Sequence, residues 1–312
     1  MPASAGPGAG LTVIVPTYRR PALLRRCLAS LREQTVDARA FTVSVVDDGS
    51  GDETPQLLEQ LAATMPNLTW AVQPRNAGPA AARNRAVQQS GGALLLFVDD
   101  DVVARPELVE RHLALHAAAA PQDGFVGRVQ WEPTLAVTPF MRWLDGTDLQ
   151  FRYETGLQPG LLASPEEAFY TCNLSLRREV FEASGGFDER FPYPAYEDIE
   201  LGWRLGRAGF RLTYAPEALA YHARAITLRE FTARMEKVAE SAVLLQRTHP
   251  EVPVRIDVSA PPGALAAALT ATLATIVPRL GGRDVRSRHY WDAVTRAYAR
   301  GRKRATSVVT AS

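Results

Sequence analysis

Compact apolar, β-branched runs alternate along the first hundred residues with segments whose apolar positions recur at helical spacing. Residues 11–15 (LTVIV) stop at Pro16 and fit a buried strand. After Pro21, a residue suited to a first helical turn, Leu23, Leu24, Cys27, Leu28 and Leu31 mark one face of a helix. Residues 41–46 read as a second strand and 53–63 as a helix; 68–72 and 79–89 repeat the pair, and 94–98 supply a fourth strand. The alternation predicts an α/β fold, a mostly parallel central sheet flanked by helices and joined by right-handed crossovers. In such sheets ligands gather at the carboxyl ends of the strands.

The pattern changes downstream. Residues 130–170 carry scattered prolines and glycines and seven aromatics (Trp131, Phe140, Trp143, Phe151, Tyr153, Phe169, Tyr170), a long irregular stretch of the kind that serves function. These rings, with Tyr193, Tyr196 and Trp203, either fill the core or present two or three stacking faces to a ligand. A helix is expected over 196–207, strands over 210–214 and near 219–222, and a mostly helical section without new strands from 227. Three segments follow: a disordered leader at 1–10, rich in Ala, Gly and Pro; an α/β domain over 11–225; and a helical extension with a basic tail over 226–312.

At 312 residues, 46% apolar and 22% charged, the chain can bury a core without disulfide or metal. A net charge of +1 lacks the excess of a nucleic-acid binder, so no nucleic-acid partner is expected. Cys27 and Cys172 stand alone without ligand spacing and read as reduced core thiols. The N-terminus lacks a signal-peptide pattern and the uncharged run at 258–277 is interrupted by Pro261, Pro262 and Gly263, so the cytoplasm is the expected compartment. The charge is uneven: residues 279–312 hold nine Lys/Arg against two Asp, +7, which leaves about −6 elsewhere. With the stripe Leu265, Leu269, Leu273 and Ile276, this tail reads equally as a packing helix with a solvated end or as peripheral contact with an anionic membrane.

The strand ends hold the chemistry. They read Pro16-Thr17-Tyr18-Arg19, Asp47-Asp48-Gly49-Ser50, residues 73–78 (QPRNAG) and Asp99-Asp100-Asp101. Three like charges in a row are costly, and a divalent cation shared with substrate phosphates is the simplest compensation; a solvated acidic turn capping the next helix is the plainer alternative. Neither GxGxxG nor GxxxxGK[ST] follows the first strand, which removes the main support for dinucleotide and P-loop readings.

Taken together, residues 13–20 (VIVPTYRR), 45–52 (VVDDGSGD), 76–84 (NAGPAAARN), 97–101 (FVDDD), 185–189 (GGFDE) and 196–200 (YEDIE) resemble family 2 glycosyltransferases with the GT-A, Rossmann-like nucleotide-diphospho-sugar transferase fold. The likeness runs from about residue 11 to 222. It implies a nucleoside pocket lined by Pro16, Thr17, Tyr18 and Arg19, with Asp48 accepting from a base imide, which favours UDP- or dTDP-sugars, and with Asn76 and Gly78 in the adjoining loop. It implies Arg83 on base and diphosphate, Asp99 or Asp100 on ribose or metal water, and Mn or Mg held by Asp99, Asp101 and, in some such enzymes, His222. Asp198, beside Glu197, would be the catalytic carboxylate; helix N-terminal charge complementarity is the plain alternative for this pair. Asp188 would lie near acceptor or sugar. One positioned base implies inversion. The Gln-x-x-Arg-Trp motif of processive members is missing, so single-sugar transfer is expected, to a sugar, lipid-linked or small-molecule acceptor.

Two rivals remain. A sugar-nucleotide nucleotidyltransferase needs a Gly-rich triphosphate loop followed by lysine, and the chain has only Lys237 and Lys303. A non-catalytic binding scaffold would have lost Asp101 or Asp198, and both are present.

Overall fold

A computed structural model describes residues 10–252, 254, 263–276, 279–280 and 283–309. The chain divides into two compact units: the chain up to Ala136 together with Phe151–Arg224, and Val137–Gln150 together with Ala225 onward. Of the leader expected at 1–10, all but the exposed Gly10 lies outside the described residues.

The first unit follows the βα alternation: β1 (Leu11–Thr17), α1 (Pro21–Arg32), β2 (Phe41–Asp47), α2 (Thr54–Ala62), β3 (Leu68–Val72), α3 (Pro79–Gln88) and β4 (Leu94–Val98). Prolines open α1, α2 and α3, where a missing N–H costs nothing. β1 pairs in parallel with β2 on one side and β4 on the other, and β2 with β3. The order β3-β2-β1-β4 therefore reverses direction between β1 and β4, the switch point where a crevice opens at the strand ends. Leu11, Val13, Ile14, Val15, Leu95, Leu96 and Phe97 are fully buried there.

The chain continues through β5 (Val102–Ala104), α4 (Leu108–Ala117) and β6 (Asp123–Trp131). After α5 (Pro139–Asp145), which belongs to the second unit, come β7 (Gly160–Leu161), β8 (Asn173–Arg177), α6 (Arg178–Ala183), α7 (Glu197–Arg207) and β9 (Arg211–His222). Together the first nine strands form one sheet, β3-β2-β1-β4-β8-β6-β9-β5, with β7 on β9. The expected parallel half is joined by a second half that is mainly antiparallel: β8 pairs antiparallel with both β4 and β6, and β5 and β7 antiparallel with β9. The two short strands expected near 210–222 are one strand, whose register shifts opposite Gly127/Arg128.

β8 escapes a hydropathy reading because it is buried on both faces and one of them, Asn173 and Ser175, is polar, opposite Leu174 and Leu176. Ser175 and Asn173 are fully buried and meet two buried histidines of α4: His112 Nε2 lies 2.9 Å from Asn173 Oδ1, while His112 Nδ1 and His116 Nε2 lie 2.7 and 2.9 Å from Ser175 Oγ. Asn173 Nδ2 donates to the carbonyls of Ala218 and Arg128, so its Oδ1 accepts from His112, whose Nδ1 then accepts the serine proton. Burial holds both imidazoles down near a pKa of about 4.

The second unit contains α5, α8 (Leu228–Thr248), α9 (Ala264–Ile276), β10 (Arg279–Leu280), β11 (Arg283–Asp284) and α10 (Val285–Val309). Thr227 and Glu230 close a capping box at the start of α8. The section was expected to add no strand, yet β10 and β11 pair antiparallel; two-residue ladders leave no alternation to read, and the intervening Gly281-Gly282 is the only trace in sequence. Phe140 and Trp143 stack at 5.6 Å and meet Phe231 and Tyr290, so these two rings serve this unit's packing rather than an acceptor platform. A Cβ on Gly301 of α10 would sit 2.1 Å from the Glu236 carbonyl of α8, a crossing only glycine permits. In the leucine stripe, Leu269 is exposed and Leu273 half-buried; the side chains of Leu265 and Ile276 lie outside the described residues. Among the described residues no helix is long and apolar enough to cross a membrane.

Candidate active site

The carboxyl ends of β1, β2 and β4 are tied to one another by short polar contacts. Ser50, in the turn after β2, receives the Arg19 backbone N–H at 2.8 Å and donates its hydroxyl to Asp47, while Arg19 Nε reaches the Ser50 carbonyl at 3.1 Å. Arg19 itself sits at φ 53°, in left-handed backbone space. Asp47 thus anchors the turn. Asp48 faces the next loop and accepts from Gln73 Nε2, Ala77 N and Gly78 N, all at 2.8 Å. Asn76 is exposed at the tip of that loop. Gly78 has φ 94°, and a Cβ there would press within 2.8 Å of the Pro192 carbonyl.

Thr17 donates its hydroxyl to Asp100 at 2.8 Å across the switch point; Pro16 is half-buried beside it, and Tyr18 presents its ring to Arg19 with 36% exposure. The three acids that end β4 each meet arginine. Asp99 receives Arg83 at 2.9 Å; Asp100 receives Arg20 at 3.1 Å; Asp101 lies 3.3 Å from Arg20 and 3.6 Å from Arg224. Burial pushes the Asp100 carboxyl up to about 6 despite Arg20. Burial would push Asp101 up too, but His222, Arg20 and Arg224 outweigh it and hold that carboxyl well below the usual range.

The far side of the site comes from α7. Its cap residue Tyr196 is buried at φ 66°, a strained conformation for an aromatic residue, and Glu197 and Asp198 open the helix behind it. Arg83 joins the two sides: one guanidinium nitrogen lies 2.9 Å from Asp99, the other 2.9 Å from Glu197. Burial and the neighbouring Asp198 charge lift the Glu197 carboxyl to about 7, against the pull of Arg83. Next to Arg83, Asn84 exchanges two hydrogen bonds of 2.9 Å with the Phe187 backbone, which docks the GGFDE loop on α3. Asp188 in that loop is turned to its own Arg190.

His222, at the end of β9, is buried between rings: Phe151 stacks on it at 5.4 Å and Trp131 tilts over it at 5.8 Å. Its Nδ1 lies 3.6 Å from Asp101, and its Nε2 has no hydrogen-bond partner. Of the sequence-derived aromatics, Trp131 and Phe151 thus border the site, while Phe169, Tyr170 and Tyr196 are core.

The geometry bears on three expectations. Asp99, Asp101 and His222 form no three-fold group of metal-ligating side chains among the described residues, and Asp99 is paired with Arg83 instead. Asp101 and His222 do come together, with His222 Nδ1 3.6 Å from the carboxylate, and an ionised carboxylate beside an imidazole nitrogen is a donor pair that would suit Mn or Mg. Arg83, expected on base and diphosphate, is 3% exposed and here bridges two carboxylates, Asp99 and Glu197. Glu197 is equally buried and holds Arg83, which leaves Asp198, half-exposed, as the accessible acid of the pair. Sequence reasoning missed Arg20 and Arg224; the signal was an arginine directly after the Pro-Thr-Tyr-Arg strand end and another two positions past His222.

Residues 12–185 match the family model for glycosyl transferase family 2, and residues 161–247 a model for a glycosyltransferase-like family 2. A validoxylamine A glucosyltransferase of Streptomyces hygroscopicus subsp. jinggangensis is 32% identical, covering 67% of this chain and 54% of its own. A pre-mycofactocin glycosyltransferase of Mycobacterium tuberculosis is 30% identical over 86% of this chain and 54% of its own. An N-acetylglucosaminyl-diphospho-decaprenol L-rhamnosyltransferase of M. tuberculosis is 32% identical over 69% of this chain and 76% of its own. The chain spans about half the length of the first two relatives. In architecture it is similar to the Pyrobaculum calidifontis mannosyltransferase PcManGT, solved with GDP-Man and Mn2+ (TM-score 0.63, 19% identity, 97% of this chain and 89% of that one). It is similar also to S. aureus TarS 1–349 with UDP-GlcNAc (TM-score 0.54, 17% identity, 94% and 90%). These likenesses show the GT-A fold.

Proposed function

Because the chain belongs to glycosyl transferase family 2, we propose that it moves one sugar from a nucleoside-diphosphate sugar to an acceptor hydroxyl with inversion at the anomeric carbon. The observation that supports this reading is the Arg83 bridge, which ties Asp99, just after β4, to Glu197 at the start of α7, next to the half-exposed carboxylate of Asp198. The acceptor oxygen forms a bond to the anomeric carbon as the bond to the diphosphate oxygen breaks. Asp198 takes the acceptor proton, and the nucleoside diphosphate leaves. An α-linked donor then yields a β-linked product.

Asp101 and His222 would hold the divalent cation, which when bound supplies Lewis-acid neutralisation of the leaving diphosphate. Pro16, Thr17, Tyr18 and Arg19 line the nucleoside side, and Asp48, fixed by the 73–78 loop, favours uracil or thymine. Asn76 and Gly78 shape that loop, and Asp100 faces Thr17 at its floor. The relatives' names make small-molecule and polyprenol-linked acceptors the first panel to screen. A cytoplasmic enzyme that meets anionic lipid through the basic α10 region fits the second class, and vesicle flotation tests that contact.

Calorimetric titration of UDP, dTDP and GDP with and without Mn2+, beside Asp101→Asn, is the direct test. Metal-dependent binding of one diphosphate, lost in the variant, supports the donor site. Absence of binding by all three overturns it.

A further inference from the structure

The three arginine partners of Asp99, Asp100 and Asp101 differ in how firmly they are held. Arg83 is buried with two contacts of 2.9 Å and nowhere to go. Arg20 is 40% exposed, and one of its nitrogens is shared between Asp100 at 3.1 Å and Asp101 at 3.3 Å, longer than the ~2.7–2.9 Å of a tight charge-assisted bond. The Arg20 backbone is nonetheless pinned: Arg19 is tied to Ser50, and the Arg20 carbonyl accepts the Leu24 N–H at 3.0 Å. The guanidinium can leave by side-chain rotation alone. When Arg20 leaves, Asp101 keeps only the longer 3.6 Å contact with Arg224, and a carboxylate whose side chain is 12% exposed is expensive to leave so weakly paired beside Asp100. His222 Nδ1 lies 3.6 Å from the Asp101 carboxylate.

We propose that Arg20 is a placeholder cation. It neutralises the Asp100–Asp101 pair until a divalent cation and a nucleoside diphosphate arrive together, then turns its guanidinium to the diphosphate oxygens, a match for its planar fork. The proposal rests on the donor-site reading above. A metal ion alone must compete with a tethered cation and gains little; a metal ion with a diphosphate gives Arg20 a new partner. Metal and nucleotide are therefore coupled, and by linkage each tightens the other equally.

The test is Mn2+ binding, followed by the electron paramagnetic resonance of the free ion, to the wild-type chain and to Arg20→Met, Arg20→Gln and Arg20→Lys, each with and without UDP, dTDP or GDP; circular dichroism checks folding. The neutral variants should bind Mn2+ alone about tenfold more tightly, and the nucleotide should tighten Mn2+ about tenfold less than in wild type, within the usual span of site-to-site coupling. Arg20→Lys should stay near wild type. Neutral variants with wild-type Mn2+ affinity and undiminished coupling, in a protein that does bind nucleotide with metal, overturn the placeholder and leave the donor site standing. A wild-type chain without metal-dependent binding of any of the three diphosphates overturns both. Loss of folding in both neutral variants shows a structural brace and also overturns the placeholder.

Discussion

Arg83 and Glu197 face each other at 2.9 Å with each side chain only 3% exposed, and they come from helices more than a hundred residues apart in sequence. A buried ion pair of this kind costs most when one half is removed. Arg83→Met leaves Glu197 and Asp99 without their cation and should lower stability by about 3–5 kcal/mol in urea denaturation. Arg83→Met combined with Glu197→Leu should recover a large part of that loss, since the buried charge goes with its partner.

Asp198 separates chemistry from packing. Asp198→Asn should reduce kcat by roughly 10²–10⁴ while donor affinity, read by calorimetry, changes little. Were its charge to serve only the start of α7, the variant would lose about 0.3–1 kcal/mol of stability and keep its rate.

The histidine network makes stability depend on pH with a definite sign. His112 and His116 stay neutral in the fold down to about 4, chiefly through burial, with Arg177 also pressing on His116 and Asp123 opposing. In the unfolded chain they protonate near ~6.5. Their contribution is present above that value and is lost as pH falls from about 6.5 to about 4. Glu197, lifted to about 7, runs the other way: its contribution is present below its unfolded value of 4.5 and lost as pH rises to about 7. Denaturation of wild type across this window should show the two trends opposing each other. The double variant His112→Gln/His116→Gln should grow more stable on acidification from pH 7 to 5.

Gly78→Ala combines a disallowed φ of 94° with a Cβ pressed on the Pro192 carbonyl. A loss of about 1–3 kcal/mol is expected, with weaker nucleotide binding because the loop that fixes Asp48 shifts. Thermal melting and UDP titration of the same sample check both halves.

β1, β2 and β4 could be read from hydropathy because each is a mainly apolar buried run, while β3, where only Leu68 is buried, was legible from its place in the alternation. β8 could not: its buried Leu174 and Leu176 alternate with buried Asn173 and Ser175, made compatible with burial by His112 and His116, which are remote in sequence. β6 was hidden by Gly124 and Gly127, where a Cβ would strike Phe210 and Asn173. The acids were legible as a motif, but their neutralisation was not. Three acidic residues in a row suggested a metal on charge grounds, whereas arginines from α3, from the start of α1 and from the end of β9 already balance them.

The placement of α5 has a consequence for synthesis on the ribosome. Phe140 and Trp143 emerge in the middle of the first unit's sequence, yet their ring partners Phe231 and Tyr290 are made some ninety to one hundred and fifty residues later. The nascent chain must carry this apolar face uncovered until those partners are made. A truncation after Arg224 would freeze the chain in that condition, so the second unit acts, for the growing polypeptide, as a cover that arrives last.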